Sequence, residues 1–361
     1  MSLRDVRRHV GRLAIAGFPG HAVSTELRAI AREFDLGGVI YFARNIAEPG
    51  QVRELSRECA ALQREWPLWI SVDQEGGRVA RLRQPPFTIW PPMRTLGRSG
   101  AESLTVSFAN ALAEELLAVG INLDFTPVLD VHTNPRNPVI GDRALSERAS
   151  EVARLGAAMI QTLQAAGVAA CGKHFPGHGD TSTDSHHELP IVEHPPERLR
   201  EVEWVPFRAA IAANVASLMT AHVLVPALDE ERPATLSPVI VDGLLKKTLG
   251  HTGIVFSDDM GMKAISVAGG LGEACVLALL AGCDSVLLCN HTPDEQVEAL
   301  EAMIDAVESG RLPAKRIEDA LDRQERVKQR FLGGDRQPVI PLSRVGCEEH
   351  QAVAAAMAEW V

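Results

Sequence analysis

The sequence predicts an α/β fold, a (β/α)8 TIM-type barrel in a single domain, and three observations carry that prediction. Eight short apolar runs recur, at positions 13–18, 37–42, 68–72, 122–127, 168–174, 217–222, 253–257 and 284–289. They are rich in Val, Ile, Leu and Ala and nearly continuous in hydrophobicity, as strands of a parallel sheet buried on both faces must be. Most runs are followed by a polar loop and a helix-like stretch. Eight such repeats in about 280 residues fit a closed barrel better than an open doubly wound sheet, whose G-x-G-x-x-G fingerprint is missing.

Taken in order, the stretch 103–119 places Leu104, Phe108, Leu112 and Leu116 on one face, and 151–166 does the same with Val152, Leu155, Met159 and Leu163. Both read as amphipathic helices covering a sheet. After the eighth run, 294–309 (Val297, Leu300, Ile304, Val307) and 314–331 (Ile317, Leu321, Val327) read as closing helices. Gly333-Gly334-Asp335 breaks the pattern. The barrel domain is therefore placed at 1–332 and a tail at 333–361, with a terminal helix carrying Val353, Met357 and Trp360 on or near one face, and no complete second domain.

With 361 residues, 46% of them hydrophobic, the chain can bury a substantial core. A formal net charge of -11 would repel a polyanion, so nucleic acid is not an expected partner. The six cysteines contain no C-x-x-C pair, and several lie in apolar runs, so they read as buried thiols in a reducing compartment. There is no apolar span long enough for a membrane helix, and Met1-Ser2-Leu3-Arg4-Asp5 lacks a signal-peptide core. A cytoplasmic protein, monomeric or a weak homodimer through the tail, is expected.

The densest chemistry lies in the stretch from Lys173 to Pro190, which follows the fifth apolar run and holds four of the twelve histidines. Proline and glycine at 176, 177 and 179 keep it irregular, and a long loop after a strand is where a rigid scaffold displays reactive groups. Asp184 and His186 are two residues apart, so in an extended backbone both point to one side, and the carboxylate can hold one ring nitrogen while the other stays free. That is a workable proton donor and acceptor. The alternative is that the pair merely satisfies backbone groups of a turn.

A barrel of this kind carries its active site at the C-terminal ends of its strands. Asp73 closes the third run, Asp124 and Asp130 lie around the fourth, Lys173 and His174 end the fifth, His222 ends the sixth, and Asp258 and Asp259 follow the seventh. A single acid there is commonly a helix N-cap. Convergence from most strands points to a site. Asp258 emerges directly from Ile254-Val255-Phe256, leaving Asp259 to act as the cap. Arg81 and Arg143 offer planar guanidinium groups suited to vicinal hydroxyls or an amide oxygen. For Arg143 a staple to Asp142 or Asp130 is the competing reading.

These motifs resemble family 3 glycoside hydrolases, and among them the bacterial β-N-acetylglucosaminidases of cell-wall recycling. The resemblance rests on Val72-Asp73-Gln74-Glu75-Gly76-Gly77-Arg78-Val79-Ala80-Arg81-Leu82, Asp124-Phe125-Thr126-Pro127-Val128-Leu129-Asp130-Val131, Gly141-Asp142-Arg143, the stretch Lys173 to Pro190, and Phe256-Ser257-Asp258-Asp259-Met260. It implies that Asp258 is a nucleophile forming a covalent glycosyl-enzyme, and that His186 is the general acid and base, oriented by Asp184. It further implies that Asp73, Arg81, Arg143, Lys173 and His174 bind the sugar hydroxyls and N-acetyl group, with a carbohydrate as the partner and no cofactor or metal. Many relatives carry a second domain after the barrel, and positions 261 and 262 vary among them, leaving the leaving-group side open. Three other readings stand beside this one: an N-acetylglucosaminide phosphorylase, a metal-dependent hydrolase using His174, His178, His186, His187 and Asp180, and a sugar-binding barrel without catalysis.

Overall fold

The computed structural model describes residues 9–62, 66–183, 185, 188–333 and 339–361, the side chains of 266–268 excepted. Eight parallel strands close into a barrel in sequence order: β1 (Ala14–Gly17), β2 (Gly38–Tyr41), β3 (Trp69–Val72), β4 (Leu123–Asp124), β5 (Ala169–Phe175), β6 (Ser217–Thr220), β7 (Ile254–Asp259) and β8 (Ser285–Leu288). Each lies within the expected run or overlaps it. β4 is much shorter than 122–127 because Pro127 has no N–H to give the ladder, although its carbonyl still accepts from Lys173 N at 3.1 Å. β5 and β7 run further than expected, β5 by Phe175 and β7 by Asp258 and Asp259.

Helices cover the outside of the sheet: α1 (Thr25–Phe34), α2 (Pro49–Ala60), α3 (Arg94–Ser99), α4 (Glu102–Ala118), α5 (Ala149–Ala166), α6 (Pro196–Glu201), α7 (Trp204–Ala212), α8 (Leu271–Ala281), α9 (Pro293–Glu308), α10 (Ala314–Leu332) and α11 (Glu348–Ala358). Their ends follow local chemistry. Thr292 accepts from Glu295 N while Glu295 accepts from Thr292 N at 2.7 Å, a capping box with Pro293 at the first helical position. α5 stops at Gly167, whose φ of 106° suits glycine. Phe108, Leu112 and Leu116 of α4, and Val152, Leu155, Met159 and Leu163 of α5, are buried as their spacing requires.

The inside of the barrel is a separate apolar cluster that includes Ile15, Ile40, Trp69, Leu123, Phe125, Cys171, Met219, Phe256 and Leu287. Its lower end is closed by α10. Gln324 accepts from Trp69 Nε1 at 2.9 Å, and Lys328 donates to the carbonyls of Gly37 and Pro67, both at 2.7 Å. Burial pushes the Lys328 amine well below its ordinary value. With that end filled, ligand access is left to the opposite mouth.

The tail docks on α4. Glu115, buried on that helix, accepts from Thr88 Oγ1 at 2.5 Å, from Gly346 N at 2.9 Å and from His350 Nδ1 at 3.1 Å, while His350 Nε2 meets Glu114 at 3.2 Å. Gly346 sits at φ 66°, and a Cβ there would lie 1.7 Å from the Pro86 carbonyl oxygen. Met357 is buried on α11, but Trp360 lies in a turn beyond the helix and is 43% exposed, so it does not continue the apolar face. His350→Ala should cost about 1–3 kcal/mol, the usual penalty for under-satisfying buried polar groups. A lower urea midpoint with unchanged kcat is the expected result. An unchanged midpoint would remove the tail from the stability of the barrel.

Candidate active site

Period-two alternation decides which strand-end residues enter the open mouth. Trp69, Cys171 and Phe256 face the barrel interior, so Asp73, Lys173 and Asp258 follow them onto the inner face at the top. The same parity turns Asp124 away. Leu123 and Phe125 occupy the interior, and Asp124 is buried behind the cleft, accepting from Gln74 N at 2.9 Å. Burial pushes its carboxyl well above the ordinary range, which suits a neutral structural acid. His174 enters the mouth beside Lys173 because the register of β5 shifts between Lys173 and Phe175, and irregularities of this kind re-aim side chains.

The result is a cleft of about 220 Å³ that brings together Asp73, Arg81, Arg143, Lys173, His174 and Asp258, six of the eight residues singled out in the sequence. Asp184 and His186, the other two, lie outside the described residues, as does His187. Apolar walls come from Ile40, Phe42, Met219, Met262 and Leu287, with the Arg44 and Arg81 guanidinium groups over the Phe42 ring at 4.6 and 5.2 Å from its centroid.

A compact ion cluster forms the floor. Lys173, 2% exposed, donates to Asp73 Oδ1 at 2.7 Å and lies 2.6 Å from Glu75 Oε1. Glu75 in turn takes Arg143 through two bonds, from Nε at 2.9 Å and from Nη2 at 2.8 Å. Arg81 Nη2 reaches Asp73 Oδ2 at 3.3 Å. Burial by itself would raise the Glu75 carboxyl, but Arg143 and Lys173 outweigh it and hold it far below the ordinary value. Burial likewise opposes the charge on Lys173, and Asp73 and Glu75 reverse that, raising the amine. Each charge is therefore retained because the others are present. Arg143 is stapled neither to Asp142 nor to Asp130: its partner is Glu75, which sequence reading passed over. The signal was available, since Glu75 lies two residues beyond Asp73. Arg81 keeps one donor unused, because its buried Nε has no hydrogen-bond partner among the described residues.

Asp130 organises the histidines. It accepts from His174 Nδ1 at 2.7 Å and from His178 N at 2.7 Å. With a proton on Nδ1, His174 presents Nε2 to the cleft, where Arg143 Nη2 approaches at 3.5 Å. Glycine is required at 179, because a Cβ there would fall 1.9 Å from the Val131 carbonyl oxygen. His178 has both ring nitrogens engaged by hydroxyls, Thr181 at 2.7 Å and Ser185 at 3.2 Å.

On β7 the two adjacent acids differ. Asp259 does not cap a helix: it accepts from Gly261 N in the turn after β7 and from Cys289 N just past β8, both at 3.2 Å. Asp258 is left facing the cleft, its Oδ1 accepting only from Asp259 N, at 2.8 Å, among the described residues. Burial raises its carboxyl, and the imidazoles of His222 and His174 bring it below the ordinary value, so it is ionised at neutral pH.

With this geometry in place, comparison with known proteins gives the class. The family model described as glycosyl hydrolase family 3 N terminal domain matches residues 5–327, and the chain belongs to glycosyl hydrolase family 3; it is a glycoside hydrolase. It is 40% identical over 306 residues to a β-hexosaminidase of Bordetella parapertussis, covering 83% of each chain. Among solved structures, a family 3 β-N-acetylglucosaminidase from Paenibacillus sp. str. FPU-7 superposes with a TM-score of 0.92 at 43% identity, covering 98% of this chain and 68% of that one. NagZ from Neisseria gonorrhoeae superposes with a TM-score of 0.81 at 32% identity, covering 98% of both.

Proposed function

We propose that this chain is a retaining exo-β-N-acetylglucosaminidase that removes non-reducing terminal N-acetylglucosamine from muropeptides or related glycans in the cytoplasm. The observation that carries the reading is Asp258, an ionised carboxylate at the end of β7, facing a cleft whose other charged groups are already paired. The named relatives support the choice of sugar, and six free thiols, five of them buried, suit a reducing compartment.

On this reading Asp258 attacks the anomeric carbon as the glycosidic bond breaks, giving a covalent glycosyl-aspartate, and His186 protonates the departing oxygen. His186 then removes a proton from water, whose oxygen displaces Asp258 and restores the enzyme. Asp184 holds the imidazole. An imidazole has an ordinary pKa of about 6.5 and can serve in both directions near neutral pH. Asp73 and the Arg81 guanidinium meet sugar hydroxyls, while Lys173, Arg143 and His174 complete the polar floor.

Intact mass after exposure to a 5-fluoro N-acetylglucosaminyl fluoride tests the proposal. The expected result is one glycosyl adduct, on the peptide containing Asp258. A folded protein that stays unlabelled, or is labelled elsewhere, overturns it. Chromatography of the products formed in phosphate buffer separates transfer to water from transfer to phosphate. For the acid, His186→Ala should lower kcat/KM on an alkyl N-acetyl-β-glucosaminide by about 10²-fold or more, the usual scale of general acid catalysis. An activated aryl glycoside needs little protonation and should lose far less; equal losses on both would remove His186 from that role.

A further inference from the structure

His222 lies just past β6 and takes no step in the reaction above, yet it is fully buried with both ring nitrogens engaged. Nε2 lies 3.0 Å from the Asp259 carbonyl oxygen, and Nδ1 lies 2.8 Å from Thr235 Oγ1. A carbonyl can only accept, so Nε2 carries a proton and donates it. The other neutral tautomer would set a ring lone pair against the carbonyl, and a charged ring would make the same bond. At the far edge the ring is anchored. Thr235, itself fully buried in the turn Ala234–Leu236, also meets Thr220 Oγ1 at 2.9 Å and the Ala221 carbonyl at 3.0 Å.

The bond to Asp259 falls where β7 loses its regular pairing. From Phe256 to Asp259 β7 advances three residues while β8 advances two, from Ser285 to Leu287, so β7 carries one extra residue beside Asp258. Such a bulge bends a strand, re-aims side chains and disrupts the ladder. On the β8 side, side chains step in: Ser257 Oγ accepts from Leu287 N at 3.1 Å, and Asp259 Oδ1 accepts from Cys289 N at 3.2 Å. On the β6 side the register ends at Met219 and Phe256, and His222 reaches across the seam beyond it.

Asp259 joins this anchorage to Asp258. Its carbonyl is held by His222, and its N–H donates to Asp258 Oδ1 at 2.8 Å, which leaves the other carboxylate oxygen for the anomeric carbon. We propose that His222 is a positioning residue for the attack by Asp258: by donating from Nε2 to the Asp259 carbonyl, it holds the bulged end of β7 in the orientation that aims the carboxylate. With no surface of its own in the cleft, His222 acts through Asp259. The inference rests on the nucleophile role proposed for Asp258. A misplacement of about 1 Å in a reacting group costs about 10²-fold.

The test compares two replacements that differ in which ring nitrogen they imitate. His222→Gln places an amide N–H near the position of Nε2 and keeps the donor, while His222→Asn is too short to reach the Asp259 carbonyl. Two quantities are read: the rate of adduct formation with the 5-fluoro N-acetylglucosaminyl fluoride, and the inhibition constant of free N-acetylglucosamine. His222→Asn should label about 10²-fold more slowly and His222→Gln under about 5-fold more slowly, with the inhibition constant within about 3-fold in both. A parental labelling rate in His222→Asn overturns the inference. So does a loss in His222→Gln as large as in His222→Asn, or an inhibition constant that rises in step with the lost rate, since each marks a merely structural role. If His222→Asn shows no cooperative urea transition, Thr235→Val decides instead: it keeps the imidazole without its anchor and should label about 10-fold more slowly, and a parental rate there overturns the inference. The parent protein is the control. If it is labelled at Asp258 and the variants match it, the positioning role alone fails; if it is not labelled there, the nucleophile role fails and this inference with it.

Discussion

Asp258→Asn is expected to lower kcat/KM on an aryl N-acetyl-β-glucosaminide by about 10³-fold or more while the protein stays folded. An amide oxygen cannot form a stable ester with the anomeric carbon, so the first chemical step has no nucleophile. The backbone is not at risk, because Asn Oδ1 can still accept from Asp259 N, the bond that Asp258 makes. Stability supplies a second readout. A carboxyl lowered in the folded state contributes stability above its unfolded pKa, and that contribution is lost as pH falls through the folded value. The Asp258 carboxyl is lowered. Asp258→Asn should therefore be no more stable than the parent protein at neutral pH, and the two should converge in acid. A variant that keeps more than about a tenth of the parent rate, after contamination is ruled out by active-site titration, would return the search to Asp73 as the nucleophile.

The barrel was legible because each strand is buried on both faces, which leaves an unbroken apolar run in the sequence. The cleft was legible at the strand ends, as for Asp73, Lys173, His174 and Asp258, while Asp184 and His186 of the dense stretch after Lys173 lie outside the described residues. What stayed hidden is pairing across distance. Arg143 reads locally as the partner of Asp142 or Asp130, yet it is held by Glu75, 68 residues earlier. Asp124 sits at a strand end like Asp73 but on the opposite face, and only the burial of Leu123 and Phe125 inside the barrel reveals it. His178 reads as one more titratable residue in a rich loop. Its place in a hydrogen-bonded network depends on Thr181, Asn137 and Asp130, whose approach no spacing rule provides.

Glu75→Ala is expected to produce the largest loss of stability of any change at the cleft, about 3–5 kcal/mol, the range seen when one partner of a buried ion pair is removed. Glu75 is fully buried and serves Arg143 and Lys173 together, so its removal leaves Lys173 with Asp73 alone and Arg143 with the Val139 carbonyl and His174. The pH dependence follows from the directions of the shifts. The Glu75 carboxyl is lowered, so its contribution is complete above the unfolded value, about 4.3, and persists in acid until pH falls through the much lower folded value. The Lys173 amine is raised, so its contribution is complete below its unfolded value, about 10.4, and is lost only as pH rises through the higher folded value. Between about pH 5 and 9 the deficit of Glu75→Ala, measured by urea denaturation, should therefore be flat. Glu75→Gln keeps the shape but sets an amide N–H against cations, and should lower kcat/KM by about 10²-fold through misplacement of Arg143 and Lys173. A deficit below about 1 kcal/mol, or one that vanishes by pH 5, would mean that the cluster does not hold these charges together and that the floor of the cleft is set by the barrel backbone instead.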